Sequence, residues 1–316
     1  MNRYPIYIIS KGRHDQCLTA QFLIKDGLEF KLVVEPQEKN QYADKFGSDR
    51  IHVLPFSNLG LGSIPARNWC WENSIKEGHE KHWILDDNIK QGWRKNRGKR
   101  IICNSKYCFH AVEEFTDRYE NIAISGCNYE SFGMDELPPF YLNVHVYSNL
   151  LIRNDIEYRW RGRYNEDTDL CLQVLSGGWC TISFNAFLME KRPTMTMKGG
   201  NTDVLYKDDG RLKMARSLER VWGGVVETRR KFQRPQHHIK NQWTKFDTPL
   251  IRRTDIDWSA LKSTEYGMEI QEQKKLKTDE WEKFMIQENK RLKDLENRKI
   301  EKKPIGVETQ GPFLRS

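Results

Sequence analysis

The sequence predicts an α/β domain, a mixed and mainly parallel sheet flanked by helices, with a charged helix appended at its C-terminus. Three observations predict it. Short apolar runs alternate with helix-period segments as far as Asn88. Each run stops at a charged or turn-forming residue. Near the C-terminus that alternation gives way to Glu, Lys, Gln and Arg. Alternating strand and helix signals favour parallel strands joined by covering helices.

The elements follow in order. Tyr4–Ile9 reads as a first strand, closed by Ser10, Lys11, Gly12 and Arg13. Cys17–Asp26 has helical spacing, and Glu29–Val34 is a second apolar run ending at Glu35 and Pro36. Ile51–Leu54 is a third run, broken by Pro55. Ser63–Lys76 reads as a helix, with Ser63 as cap and Pro65 in its first turn. Trp83–Leu85 is a fourth run, stopped by Asp86, Asp87 and Asn88. Further on, Ile122–Ser125, Leu142–Ile152 and Thr181–Ala186 read as strands, and Asp167–Leu175 as a helix capped by Asn165. From Met268 to Lys303, Trp281, Phe284, Met285, Leu292 and Leu295 recur at helical intervals within a highly charged stretch. The expected organisation is a domain over residues 1–255, a helical extension over 256–303 and a flexible tail over 304–316. No internal repeat is visible.

Composition bounds the function. The chain has 316 residues, 38% of them hydrophobic, and ten Trp, enough for a sizeable core. Its formal net charge of +8 favours an anionic partner such as nucleic acid or nucleotide. No stretch approaches the roughly 20 apolar residues that cross a bilayer, so no membrane partner and a cytoplasmic location are expected. Seven cysteines without framework spacing fit reduced thiols. Cys103 and Cys108 near His110 hint at zinc, but the spacing is wrong and a fourth ligand is not obvious.

Three segments carry chemistry. Asp86, Asp87 and Asn88 end a strand, where ligands of open α/β sheets gather, and they supply hard oxygens suited to Mg²⁺ or Mn²⁺. A plain turn is the competing reading. Glu166, Asp167 and Asp169 open a helix near Arg159, Arg161 and Arg163. Acids are favoured there by the helix dipole, and a carboxylate so held also suits a general base. Asn58, Gly60, Gly62, Ser63, Pro65, Arg67 and Asn68 lead into a helix whose start and arginine suit a diphosphate. The phosphate-loop ending Gly-Lys-Ser/Thr is missing.

The order of these pieces resembles the GT-A glycosyltransferases of the family 2 kind, whose domain is Rossmann-like. More narrowly, Trp83–Ile89, Asn143–Asn149, Tyr164–Leu170, Gly178–Phe187, Thr196–Asp203 and the pair His237 and His238 resemble the TET-associated glycosyltransferases. The resemblance spans residues 4 to 255. It implies transfer from a nucleotide sugar, a UDP-sugar first, to 5-hydroxymethylpyrimidine, chiefly 5-hydroxymethylcytosine, in phage DNA, as protection against host nucleases. By the same resemblance Asp167 is the base of an inverting transfer, with Glu166 beside it. Asp86, Asp87 and Asn88 hold the metal, joined by His237 or His238. Ser10, Lys11, Arg13, Glu35, Asn58, Gly60, Arg67 and Asp86 bind the donor. Trp93, Arg94, His145, Tyr164 and the loop Lys198, Gly199, Gly200 and Asn201 belong to the acceptor side. Trp93, Trp160 and Tyr164 among basic residues suit the gripping of a displaced base, with core or surface packing the competing and commoner reading, and Arg94, Lys95, Arg97, Arg229, Arg230 and Lys231 suit phosphates. Two rivals stay open: a glycan, lipid-linked or protein acceptor, and a metal-dependent nuclease or DNA-binding protein.

Overall fold

The computed structural model describes residues 3–96, 99–132, 137–192, 210–231 and 234–261. Four strands, β1 (Ile6–Ile9), β2 (Lys31–Val34), β3 (Ile51–Val53) and β4 (Lys81–Asp86), lie parallel in the order β3-β2-β1-β4. Helices α1 (Leu18–Lys25), α2 (Lys39–Phe46) and α3 (Ile64–Lys76) make the crossovers. Side chains alternate across the sheet: Ile6, Ile8, Trp83 and Leu85 join one buried cluster, Tyr7 and Ile84 the other. Because both faces are covered, these strands read as continuous apolar runs rather than as alternating ones.

Beyond β4 the sheet becomes mixed. A hairpin of β5 (Ile89–Asn96) and β6 (Lys99–Cys103) leads into α4 (Ser105–Thr116) and β7 (Ile122–Tyr129). Short β8 (Phe140–Leu142) and β9 (Asn149–Arg153) follow, then α5 (Glu166–Ser176) and the long β10 (Cys180–Lys191). The order continues β4-β9-β7-β10-β5-β6, with β8 paired to β10. β9 runs antiparallel to both β4 and β7. Gly126 permits that approach, since a Cβ there would stand 2.0 Å from the Asn149 carbonyl oxygen.

The single strand expected over Leu142–Ile152 is therefore two short strands. Asn143 and Ser148 between them take left-handed φ values of 57° and 52°, which no strand tolerates. That interruption turns His145, Tyr147 and Ser148 off the sheet. A separate ribbon, β11 (Val226–Lys231) with β12 (Arg234–Ile239), packs on α6 (Gly210–Trp222). Leu218, Val225, Val226 and Ile239 form its small core together with Leu172 of α5. Among the described residues no helix is long and apolar enough to cross a membrane. The charged helix expected over Met268–Lys303 lies outside them.

Candidate active site

The carboxyl ends of β1, β2 and β4 meet the first turns of α3 and α5, and the functional side chains collect there. Asp86 closes β4. Its Oδ1 accepts from Arg67 Nη2 at 2.9 Å, and its Oδ2 accepts from Ser148 Oγ and Lys191 Nζ, each at 2.7 Å. Burial opposes its charge, but Lys191 and Arg67 outweigh that and bring its pKa down to about 2. Asp87 accepts from Ser10 Oγ at 2.8 Å and from Arg13 Nη1 at 2.7 Å, although burial still pushes its pKa up.

Around them stands the expected donor group. Lys11 Nζ reaches Glu35 at 2.8 Å and Asn58 Oδ1 at 2.9 Å, and the Asn58 amide donates to Glu35 at 3.2 Å. Burial works against the Glu35 carboxylate, yet bonds from Lys11, Gln37 and Asn58 hold its pKa below the usual range. Gly60 has a φ of 68° with nothing near its Cβ direction, so a substituent there would be strained but not blocked. Ser10, Lys11, Arg13, Glu35, Asn58, Arg67 and Asp86 are thus brought to one end of the sheet.

Arg67 joins this group to the other acids. It is 6% exposed, lies 4.6 Å above the Trp160 ring and places Nε 3.6 Å from Glu166. Its Nη1 is buried without a partner among the described residues. Ser63 does not cap α3 through its side chain; its hydroxyl donates to Glu166 at 2.9 Å instead. Burial raises the Glu166 pKa against the pull of Arg67. Asp167 faces His145, with Nε2 to Oδ2 at 3.3 Å. Burial disfavours its charge, but His145 and the Thr168 amide more than offset this, so Asp167 stays ionised well below the usual carboxylate range. The side chains of Asp86 and Asp167 keep 27% and 28% of their area exposed, so a ligand can reach both.

Several expectations change. Asn165 does not cap α5 through its side chain: it sits at φ 52° and gives its amide N–H to the Met214 carbonyl at 2.9 Å. Trp160 is 2% exposed beneath Arg67 and has no face left for a base. Arg159 pairs with Glu72 and Arg161 with Asp169, so neither serves Asp167. Trp93 and Arg94 stand on β5 opposite Leu188 and Phe187, while Ile89 of the same strand meets Lys191. At about 3.4 Å per residue that puts them roughly 13–17 Å along the strand from the Asp86 end. Tyr164 lies half-buried, with Arg163 above its ring. Lys198, Gly199, Gly200 and Asn201 lie outside the described residues.

The histidine pair divides. His237 on β12 is half-buried and senses the charges of His145 and Asp167; burial brings its pKa down to about 4. His238 is the next residue along the strand, so it takes the opposite face, where it pairs with Glu227 in register.

Mn²⁺ or Mg²⁺ was expected on Asp86, Asp87 and Asn88. The arrangement does not fit one, because permanent cations already engage each carboxylate. The Asn88 amide donates to the Arg192 carbonyl at 3.3 Å, leaving its Oδ1 buried and unpartnered among the described residues. Among those residues no three His, Cys, Asp or Glu side chains gather in a metal-holding group. The same holds for zinc at Cys103 and Cys108, whose sulfurs lie 3.1 Å apart as free thiols.

Sequence reasoning missed Lys191, Ser148, Tyr129 and Tyr147. Lys191 Nζ donates to Asp86, Ser148 and, at 3.3 Å, the Tyr129 hydroxyl; Tyr147 stacks 3.9 Å from His145. The only signal was a Lys two residues before a Pro at the end of an apolar run, which has no specificity.

The family model for TET-Associated Glycosyltransferase matches residues 4–200, more than half of the chain. The chain belongs to this family, and the match covers the motifs at Asp86, Asp167 and Lys191. A search of curated proteins finds no match.

Proposed function

We propose that this TET-associated glycosyltransferase moves a sugar from a nucleotide-sugar donor, a UDP-sugar first, onto the hydroxyl of a 5-hydroxymethylpyrimidine in DNA, with inversion. 5-Hydroxymethylcytosine in phage DNA is the foremost acceptor. The observation that supports this most is Arg67, which bonds Asp86 and also lies beside Glu166, and so ties a cation-rich corner to a catalytic carboxylate pair.

In this reading the nucleotide lies over Ser10, Lys11, Glu35 and Asn58, and its diphosphate lies against Arg13, Arg67 and Lys191. The unpartnered Nη1 of Arg67 is a buried donor that a phosphate oxygen would satisfy. Asp167 takes the proton of the hydroxymethyl group as its oxygen forms a bond to the anomeric carbon. The bond from that carbon to the diphosphate breaks, and the electron pair leaves with the diphosphate. Lys191 and Arg67 sit where that charge grows, so they stabilise the leaving group. Asp167 is held ionised, the form a base requires, and His145 can share the proton it gains.

The test is mass spectrometry of nucleosides from hydroxymethylated DNA incubated with the protein and a panel of nucleotide sugars. A hexose or pentose adduct on the hydroxymethyl nucleoside is expected. Transfer only to glycan, lipid-linked or protein acceptors would overturn the acceptor, and strand cleavage without donor consumption would overturn the reading altogether.

A further inference from the structure

Residues 210–239 hold eight Lys and Arg against two Glu, a net +6 within a chain whose net charge is +8. This segment lies beyond the family match. It folds as one unit, α6 with the β11–β12 ribbon, around the small core of Leu218, Val226 and Ile239. Its charge is placed, not scattered. Lys213, Arg216 and Arg220 are exposed and spaced three and four residues apart, so they form one stripe along α6. Arg229, Arg230 and Arg234 are exposed on the ribbon.

The unit is fastened to the catalytic helix. Asn165, just before Glu166, donates to the Met214 carbonyl, and Trp222 Nε1 donates to Asp169 at 2.7 Å. Leu172 enters the unit's core. At the ribbon's base His237 pairs in register with Thr228 and lies by Asp167. Arg230 and Pro235 occupy the same face one alternation further out, about 7 Å from that level. The ribbon face that begins beside Asp167 therefore carries Arg230 further out, and Arg229 and Arg234 stand on the opposite face.

We propose that this unit is the surface on which the phosphate backbone of duplex DNA lies during transfer, with the ribbon directed at the major groove. The inference rests on the DNA acceptor proposed above. The stripe on α6 spans about 10.5 Å, which matches about three phosphates of one strand at 3.4 Å of axis each. The major groove admits a two-stranded ribbon, and it is also where the C5 substituent of a pyrimidine projects. Cations on the unit would thus set the register of the duplex while its modified base is presented to Asp167.

Two triple variants test this, K213Q with R216Q and R220Q on the helix, and R229Q with R230Q and R234Q on the ribbon. A control, K25Q with K39Q and K45Q, removes the same charge from exposed sites on α1 and α2. Thermal melts check that each protein is folded. Affinity for a hydroxymethylated duplex is measured from 50 to 200 mM salt, without donor, beside transfer kinetics and donor affinity. Each lost phosphate contact is expected to flatten the logarithmic salt dependence by about 0.9. Either module variant should flatten it by about 2 or more and raise KM for the duplex at least tenfold, with donor affinity unchanged. The control should keep the wild-type slope. Slopes equal to wild type, or a control that flattens as much, would overturn the inference while wild-type transfer to DNA leaves the acceptor reading standing. Binding governed by the module in a protein that glycosylates no DNA would do the reverse.

Discussion

The two edges of the site are built from different partners. At the β1–β4 edge three acids face permanent cations: Glu35 faces Lys11, Asp87 faces Arg13, and Asp86 faces Arg67 and Lys191. At the α5 edge Asp167 faces His145, with His237 close by. Guanidinium and ammonium groups keep their charge at any working pH, so the first edge is suited to holding an anion. The second instead sets an imidazole, whose ring nitrogens can donate or accept a proton, against Asp167, so it is suited to moving one. In the proposed function this contrast gives donor binding to the first edge and the chemistry to the second.

The sharpest way to break that division is Asp167→Asn. The substitution keeps size and some hydrogen bonding but removes basicity. Turnover should fall by about 10²–10⁴-fold, the usual contribution of a positioned base, while donor affinity stays within about twofold. Single-turnover kinetics with donor titration separates the two. A variant with near wild-type turnover would take Asp167 out of the chemistry. The pH profile refines the result: an Asp167 base predicts a rate that is flat through neutrality, whereas a histidine base would lose rate as imidazole protonates.

The matching change at the other edge is Lys191→Met. It leaves Asp86 with Arg67 and Ser148 and removes one of the cations around the diphosphate. Donor affinity should drop about tenfold to a hundredfold, with transfer slowed in step, because a buried ion pair broken on one side also loses its balance. Chelation of divalent ions is expected to change wild-type donor binding by less than about threefold. A donor affinity that collapses on chelation and is insensitive to Lys191 would return the Asp86 corner to a metal.

How much of this was legible follows the same two edges. The parallel strands are buried on both faces, so Ile6–Ile9, Lys31–Val34 and Lys81–Asp86 stand out as apolar runs, and the acids at their ends mark the site. The Glu166–Asp169 cluster was visible for the same local reason. The rest depends on contacts far apart in the chain. Lys191 meets Asp86 across 105 residues, and Ser148 meets it across 62, which no local pattern encodes. The hairpin of β5 and β6 was not anticipated, because β6 lies mostly exposed and its apolar run, Ile101–Cys103, is short; α4, which buries Cys108, Phe109, Val112 and Phe115, carries a helical spacing that the sequence does show. Trp160 takes the packing reading: the arginine over its ring is Arg67 of α3, 93 residues away in sequence, and not one of its sequence neighbours.

The smallest expected effect concerns the acceptor edge alone. His237 carries a folded-state pKa of about 4, set by burial, while an unfolded histidine titrates near 6.5. Between those values the unfolded chain binds a proton that the folded chain does not. Stability therefore rises with pH across this window. It is fully present above about pH 6.5 and is lost progressively as the pH falls towards 4. His82, also near 4 and bonded through Nδ1 to Asn154 at 2.6 Å, adds a loss of the same sign elsewhere in the fold. The comparison of wild type with His237→Asn isolates the first contribution, since the variant keeps His82. Denaturant unfolding from pH 7 to 4.5 should show the wild type losing more, by on the order of 1–2 kcal/mol after allowance for partial solvent screening. The ribbon is fastened by only a small core, so hydrogen exchange in residues 226–239 should rise before exchange in β1–β4 does. Parallel curves for the two proteins would show that His237 is charged in the fold or reached by water, and the acceptor edge would lose its claim to be held by a neutral imidazole.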